Sequence, residues 1–211
     1  MAAVAGARVR VEVEPFYPYL LRLYGVDEAE FEALADEDLK AEYIDGVMIV
    51  HSPASVRHER YVAFLLTLLN LHLSQRGAGL VLAGNALFRV GPRRFAPDVM
   101  VVQEETRVGP KEIEGPPDLV IEVLSESTRG YDLGEKRVAY REIGVPEIWF
   151  VDPEEQVVIV ERRESGYLGE TVRKGWVVSR TVPGFQIRAE WLWQEPLPSV
   201  LECWEEMRGE G

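Results

Sequence analysis

Residues 117–125 read PDLVIEVLS, apolar enough for a buried strand except for Glu122 in the middle. Side chains alternate faces along a strand, so Asp118, Val120, Glu122 and Leu124 share one side and Leu119, Ile121 and Val123 the other. Glu122 therefore has apolar neighbours on both faces. A carboxylate in such surroundings is costly unless it finds a cation, a metal or an outlet to solvent. An ion-paired or edge-strand glutamate is the plain structural alternative, and this strand alone leaves the two readings level.

The flanking sequence supplies the frame. DEAEFEALADED, residues 27–38, sets Phe31 and Leu34 three apart among acids and predicts a short amphipathic helix capped by Asp27. In AEYIDGVMIV the Asp45-Gly46 pair between two apolar runs predicts a tight hairpin, because a type I′ turn needs positive φ at both central residues. Glu42 lies on its first strand. Ser52-Pro53 ends the second strand, and Val62, Leu65, Leu66, Leu69 and Leu73 predict a long helix from about Ser55 to Arg76, closing at Gly77. Strands follow in LVLAGNALFRV, broken near Gly84-Asn85, in APDVMVV and in PDLVIEVLS, with EETRVGPKEIEGP as a polar loop between the last two. A helix from Asp132 to Ile143 stops at Gly144 and Pro146, EIWFVD and QVVIVERR form a pair turned at Asp152-Pro153, and GWVVSR and FQIRAEWLW read as short strands. This order indicates an α/β or α+β fold with one central mixed sheet flanked by helices.

A length of 211 residues suits one domain, and 46% hydrophobic with 28% charged residues is the composition of a folded chain. The longest apolar run, residues 62–73, is too short to cross a bilayer, and the first ten residues contain no secretory apolar segment. A single cysteine, Cys203, excludes an internal disulfide or a cysteine zinc cluster within one chain. A cytoplasmic setting without membrane attachment is the expectation. Asp and Glu number 36 against 23 Lys and Arg, and the charge of −13 argues against broad attraction to nucleic acid. Local basic surfaces around Arg89, Arg93 and Arg94, or around Arg129, Lys136, Arg137 and Arg141, stay open.

Two further residues join Glu122. Asp98, in PDVMVV, stands at the mouth of an apolar strand whose first residue Pro97 marks, although an aspartate there is also a common turn or capping group. On a helix of about 100° per residue, Leu133, Lys136, Tyr140 and Ile143 fall within roughly 80°, which puts Lys136 on the apolar stripe. Snorkelling to water is its structural alternative. Two carboxylates and a lysine suit metal-assisted phosphodiester hydrolysis: Asp98 and Glu122 offer the oxygen ligands that Mg²⁺ or Mn²⁺ takes, and Lys136 can orient a water or hold developing negative charge.

EYIDG, SPASVRH, APDVMVV and the block PDLVIEVLSESTRGYDLGEKRVAYREIGVPEIWFVDP, in this order and spacing, resemble the bacterial restriction-endonuclease-like family, long a domain of unknown function, of the PD-(D/E)XK nuclease superfamily. The resemblance covers about residues 27–190 of a single domain, with a Trp-rich C-terminal extension from about 185 to 211. It implies a restriction-endonuclease-like core, a divalent metal and DNA cleavage. The superfamily signature carries a lysine two residues after its glutamate, where this chain has Leu124; the family supplies that lysine from the following helix, where Lys136 matches. Glu42 matches the hairpin glutamate, as a further metal ligand or a group behind the ligands. His58 matches a histidine that would bond the active site or a phosphate, with a purely structural role as the alternative. Val47 departs from the acid usual after the Asp-Gly pair, and His51 and His72 carry no assignment.

The sequence thus predicts a Mg²⁺- or Mn²⁺-dependent endonuclease acting on DNA, with the Trp-rich segment Phe185–Trp204 as a homodimer contact. Two alternatives stand beside it. One is a catalytically idle binding protein, which exposed tryptophans would favour; the other is a metal-dependent hydrolase of a smaller phosphate ester.

Overall fold

The computed structural model describes residues 10–13, 20–35, 39–77 and 79–209, beginning with strands β1 (Arg10–Val13) and β2 (Leu20–Tyr24). Helix α1 (Glu28–Leu34) starts at a capping box, Asp27 accepting from Glu30 N while Glu30 accepts from Asp27 N, and ends at Ala35. Residues 36–38 of the predicted helix lie outside the described residues. Positive φ at Asp45 (50°) and Gly46 (86°) makes the predicted turn, which sets β3 (Ala41–Ile44) against β4 (Val47–His51) with Glu42 opposite Ile49. Ser55 caps α2 (Val56–Arg76), and Gly77 ends it in the left-handed conformation.

Four strands follow, β5 (Leu80–Ala83), β6 (Leu87–Val90), β7 (Arg93–Phe95) and β8 (Val99–Val102). The stretch expected as a plain loop contains β9 (Glu112–Glu114), anchored by buried Ile113, and PDLVIEVLS provides β10 (Leu119–Val123). The next helix is longer and less regular than predicted: α3 (Arg129–Tyr131) runs through a π-turn (Asp132–Lys136) into α4 (Arg137–Glu142), and Gly134 leaves helical dihedrals within the π-turn. After it come β11 (Glu147–Asp152), β12 (Val157–Arg162), β13 (Glu170–Val172), β14 (Trp176–Val178), β15 (Gln186–Arg188) and α5 (Val200–Gly209).

The fold is mixed α+β with mixed sheets flanked by helices, and its strands divide between two large sheets. One runs β1-β2-β4-β3-β7-β6-β9 and the other β13-β12-β11-β10-β8-β5, while β14 and β15 form a separate ribbon. Between residues 83 and 99 the chain leaves the six-stranded sheet at Gly84-Asn85 and returns through Ala96-Pro97-Asp98. Strands β10 and β11 are parallel, as a helical crossover between them requires.

The faces of β10 separate two cores. Leu119, Ile121 and Val123 pack with Leu65, Leu68 and Leu69 of α2, and that cluster also holds Phe185, Trp191, Leu192, Cys203 and Trp204. The Trp-rich tail is therefore largely core that folds back over α2: of the segment Phe185–Trp204 expected as a contact surface, Phe185, Trp191 and Trp204 are buried and Trp193 is partly exposed. On the opposite face, Val120 and Leu124 join Tyr140 of α4 and Phe88 and Phe95 of the other sheet. Glu122 shares this second face, where two sheets and the crossover helix meet.

Away from that junction, the buried carboxylate of Glu147 ties β11 to the C-terminal segment. It accepts from Trp149 Nε1, Ser179 Oγ, Thr181 Oγ1 and the Arg180 and Thr181 amides, at 2.9–3.0 Å. Burial would raise its pKa, but these donors outweigh burial and hold it below the ordinary 4.5. A depressed folded-state pKa adds stability above the unfolded value and loses it as pH falls through the folded one. Glu147→Gln is expected to cost roughly 1.5–3 kcal/mol at pH 7 in urea unfolding, with the gap from wild type closing as pH drops below 4.5. A gap independent of pH would contradict this.

Candidate active site

The hairpin register builds the first wall. Ile44 faces Val47 and Glu42 faces Ile49; two pairs further, past Ala41 and Val50, the His51 amide donates to Lys40 O at 3.0 Å. With alternate residues on one face, Lys40, Glu42 and His51 emerge together. Glu42 is completely buried, and four donors cover its carboxylate: Ala96 N (2.9 Å) and Lys136 Nζ (3.1 Å) at Oε1, His51 Nε2 (2.9 Å) and Tyr131 Oη (2.7 Å) at Oε2.

The second wall comes from the six-stranded sheet. Asp98, where the chain enters β8, accepts from Lys40 Nζ (2.8 Å) at Oδ1 and from His58 Nε2 (3.0 Å) and the Val123 amide (2.9 Å) at Oδ2. That last bond pins Asp98 beside the β10 residue that follows Glu122. Glu122 accepts from Lys136 Nζ (2.8 Å) and Tyr140 Oη (2.6 Å), both at Oε1. Its Oε2 has no hydrogen bond among the described residues.

The crossover helix closes the cluster. In a π-turn the repeat is one residue longer than in an α-helix, so Tyr131 and Lys136, five apart, come to one side. Tyr140 follows four residues on. The Lys136 ammonium lies 5.9 Å from the Tyr131 ring centre and 5.8 Å from that of Tyr140, and Lys136 is only 1% exposed. Its three protons meet Glu122, Glu42 and, at 3.4 Å, Ala96 O. Thus Lys136 does not snorkel to water.

Asp98, Glu122 and Lys136 all line one cavity of about 580 Å³, together with Lys40, His58 and Asp132. Glu42 lies behind that wall. Asp118 is elsewhere: it accepts from the Gln103 amide (2.8 Å) and Arg107 Nη2 (2.7 Å) at the start of β10, a capping role. His72 is structural, bonded to Pro183 O at 3.0 Å and packed edge-on to Phe185 and Trp204.

Charge in the cluster is uneven. Burial opposes the charge on Lys136, but Glu122, Glu42, Asp132 and Asp98 outweigh it and raise the ammonium pKa. Burial would likewise raise Asp98, yet Lys40 and then His58 hold it well below the usual carboxylate range; Lys136 and His51 do the same for Glu42. Burial carries Glu122 up to about 8 and Asp132 to about 6 despite Lys136, reinforced by neighbouring acids. The cluster therefore contains more acid than its lysines neutralise.

Among the described residues no group of three or more His, Cys, Asp and Glu side chains is arranged to hold a metal ion. The donors still fit a hard cation of the Mg²⁺ type, which commonly uses one or two carboxylates and completes its shell with water and phosphate. Asp98 and Glu122 are both in the cavity wall, and Glu122 Oε2 lacks a protein partner among the described residues. Glu42, with two donors on each oxygen and no place in the cavity wall, fits that role poorly, whereas Asp98 carries two donors on Oδ2 but Lys40 alone on Oδ1.

Lys40, His51, Tyr131, Asp132 and Tyr140 escape the sequence reading. The Asp45-Gly46 register could have found Lys40 and His51, since it fixes which residues share a face with Glu42. Tyr140 is one turn beyond Lys136 on the stripe already drawn. Nothing local marks the π-turn except Gly134.

A mixed α+β chain with two carboxylates and a buried lysine at one cavity has the architecture of a nuclease-like domain. The crystal structure of "a putative nuclease belonging to DUF820" from Anabaena variabilis matches with a TM-score of 0.69, covering 80% of this chain and 97% of that one; at 20% identity the likeness concerns the fold alone. Residues 28–190 match the Uma2 family, described as "Putative restriction endonuclease", and the chain belongs to that family, which supports a nuclease-like function. "Uncharacterized protein sll1609" of Synechocystis sp. is 34% identical over 107 residues, a match spanning 49% of this chain and 60% of that protein.

Removing the ammonium tests how the cluster is held. Lys136→Ala leaves Glu42 and Glu122 without their shared cation and is expected to lower stability by about 3–5 kcal/mol at pH 7, read by urea unfolding. A loss below about 1 kcal/mol would show that the cluster does not depend on this charge.

Proposed function

We propose that the chain is a Mg²⁺- or Mn²⁺-dependent endonuclease that hydrolyses phosphodiester bonds of DNA. The observation that carries the reading is the meeting of Asp98, Glu122 and Lys136 at one cavity, from two strands and a helix. When bound, the metal would supply Lewis-acid polarisation of the phosphodiester. Asp98 and Glu122 would hold it, with Tyr140 fixing one oxygen of Glu122 and leaving the other to the cavity.

The two lysines have different work. Lys136 spends its three protons on protein acceptors, so it acts as a fixed positive charge that orients Glu122 and offsets negative charge developing at phosphorus. Lys40 is 25% exposed, and among the described residues its ammonium has one hydrogen-bond partner, Asp98. It keeps donors for a non-bridging phosphate oxygen. His58, on the other oxygen of Asp98, holds that carboxylate in place. Water attacks phosphorus and releases a proton to solvent, the P–O bond to one sugar breaks, and the departing oxygen takes a proton from solvent.

A hydrolase of a smaller phosphate ester is the second reading, favoured by the charge of −13. The idle-binder reading loses support because Asp98, Glu122 and Lys136 meet at one cavity and because three of the five tryptophans, Trp149, Trp191 and Trp204, are buried, Trp176 and Trp193 being partly exposed. The proposal includes a cytoplasmic setting, which the free and buried Cys203 suits, and a homodimer, which a monomer mass in light scattering would reject.

Plasmid and oligonucleotide cleavage with Mg²⁺ or Mn²⁺ tests the reading. EDTA should abolish activity, Asp98→Asn and Glu122→Gln should each lower kcat/KM by about 100-fold or more, and Lys40→Met by about tenfold. Full activity in both carboxylate variants, with folding verified by circular dichroism, would remove the assignment.

A further inference from the structure

We infer that Lys40 is the resident counter-ion of the empty site, seated on the Asp98 oxygen that a divalent metal needs, and that its ammonium leaves that oxygen when the metal binds. The inference rests on the metal-dependent reading above and adds an order of events to it.

Hydrogen bonding at the two carboxylates leaves few places for a cation. On Asp98, Oδ2 accepts from His58 Nε2 at 3.0 Å and from the Val123 amide at 2.9 Å, which takes up its two lone pairs. On Glu122, Oε1 is taken up in the same way by Lys136 Nζ at 2.8 Å and Tyr140 Oη at 2.6 Å. Two oxygens are left. Glu122 Oε2 has no hydrogen bond among the described residues, and Asp98 Oδ1 has a single donor among them, Lys40 Nζ at 2.8 Å. Burial and the charge of Lys136 both oppose an ammonium here, yet Asp98 and Glu122 outweigh them and raise the Lys40 pKa. The charge of Lys40 thus lies in the field of the same two carboxylates that are offered to the metal. Without it Asp98, whose side chain is only 7% exposed, would lose its nearest cation.

A metal on Asp98 Oδ1 would lie within a few ångströms of that ammonium and repel it, and the waters that a Mg²⁺-type ion retains need the same space. Lys40 is the group able to yield. Its backbone is tied to the hairpin, the carbonyl accepting from the His51 amide at 3.0 Å, but its side chain is 25% exposed and lines the cavity. Lys136, 1% exposed and bonded to three acceptors, has no such freedom. The flexible four-carbon stem of Lys40 lets the ammonium swing within the cavity, where all three of its protons become available to phosphate oxygens. What changes is position and not protonation. One residue therefore serves as counter-ion to the empty site and as substrate donor in the loaded one.

The test measures Mn²⁺ binding to the whole chain, without nucleic acid, from the loss of the free-ion signal in electron paramagnetic resonance. Lys40→Met keeps most of the stem and removes the charge, and it should bind Mn²⁺ at least about tenfold more tightly than wild type, because a like charge has been taken from the site. Lys40→Arg, whose guanidinium grips a carboxylate more firmly, should bind it no more tightly than wild type. Asp98→Asn should abolish binding in both the wild-type and Lys40→Met backgrounds, which assigns the ion to this site. Since Lys40→Met can unfold with Asp98 unpaired, wild-type crystals grown with and without Mn²⁺ supply a second measurement: Lys40 Nζ should be on Asp98 Oδ1 without the metal and away from it with the metal. Equal or weaker Mn²⁺ binding by folded Lys40→Met, tighter binding by Lys40→Arg, or an ion on Asp98 with Lys40 still hydrogen-bonded there overturns the inference and leaves the metal site standing. No Mn²⁺ on wild type or on folded Lys40→Met overturns the metal-site reading and the inference with it.

Discussion

The ammonium of Lys136 is buried between carboxylates from two different sheets, Glu42 from the first and Glu122 from the second, at 3.1 and 2.8 Å. A charge so placed is tolerable only because its partners and its protons are all accounted for. The same requirement works in reverse on the two glutamates, each of which would be an unpaired buried acid without the lysine. Fixing this one group therefore fixes the distance between the sheets where the site lies. It also sets the rotation of the crossover helix, since Tyr131 and Tyr140 on either side of Lys136 complete the carboxylates.

Other features follow from that constraint. The return of the chain from one sheet to the other at Ala96-Pro97-Asp98 lets Ala96 serve Glu42 through its amide and Lys136 through its carbonyl, and delivers Asp98 to the cavity two residues later. The π-turn brings Tyr131 and Lys136 to the same side, at the expense of a helical conformation at Gly134. Four acids gathered around two lysines leave Glu122 and Asp132 with raised pKa values. Acids perturbed by burial and by one another, gathered at one cavity, are a mark of a candidate functional site.

Much of this was legible in the sequence where a charge interrupts an apolar pattern. Glu122 stands out within PDLVIEVLS, and Lys136 stands out on the stripe of Leu133, Tyr140 and Ile143, because each breaks a period that burial imposes. The hairpin was equally plain, since Asp45-Gly46 dictates its own backbone. Lys40 and Asp132 look like ordinary surface residues in one dimension, and Tyr131 and Tyr140 like ordinary core. The roles of Lys40 and Tyr131 arise from pairing across more than 50 residues of chain, with Asp98 and Glu42, and that of Tyr140 from pairing with Glu122 on another element. The division into two sheets was hidden for the same reason, and the tryptophans of the tail resembled an interface only because nothing local shows that α2 is there to receive them.

The central claim is that Lys136 holds Glu122 and Glu42 together beside a cavity in which Asp98 and Glu122 accept a divalent cation. A crystal structure grown with Mn²⁺, with the metal located by its anomalous scattering, tests this most directly. The account predicts one ion bound by Asp98 and Glu122, with the Lys136 ammonium still on Glu42. Manganese bound elsewhere, or Lys136 extended into solvent with Glu42 and Glu122 apart, would contradict it.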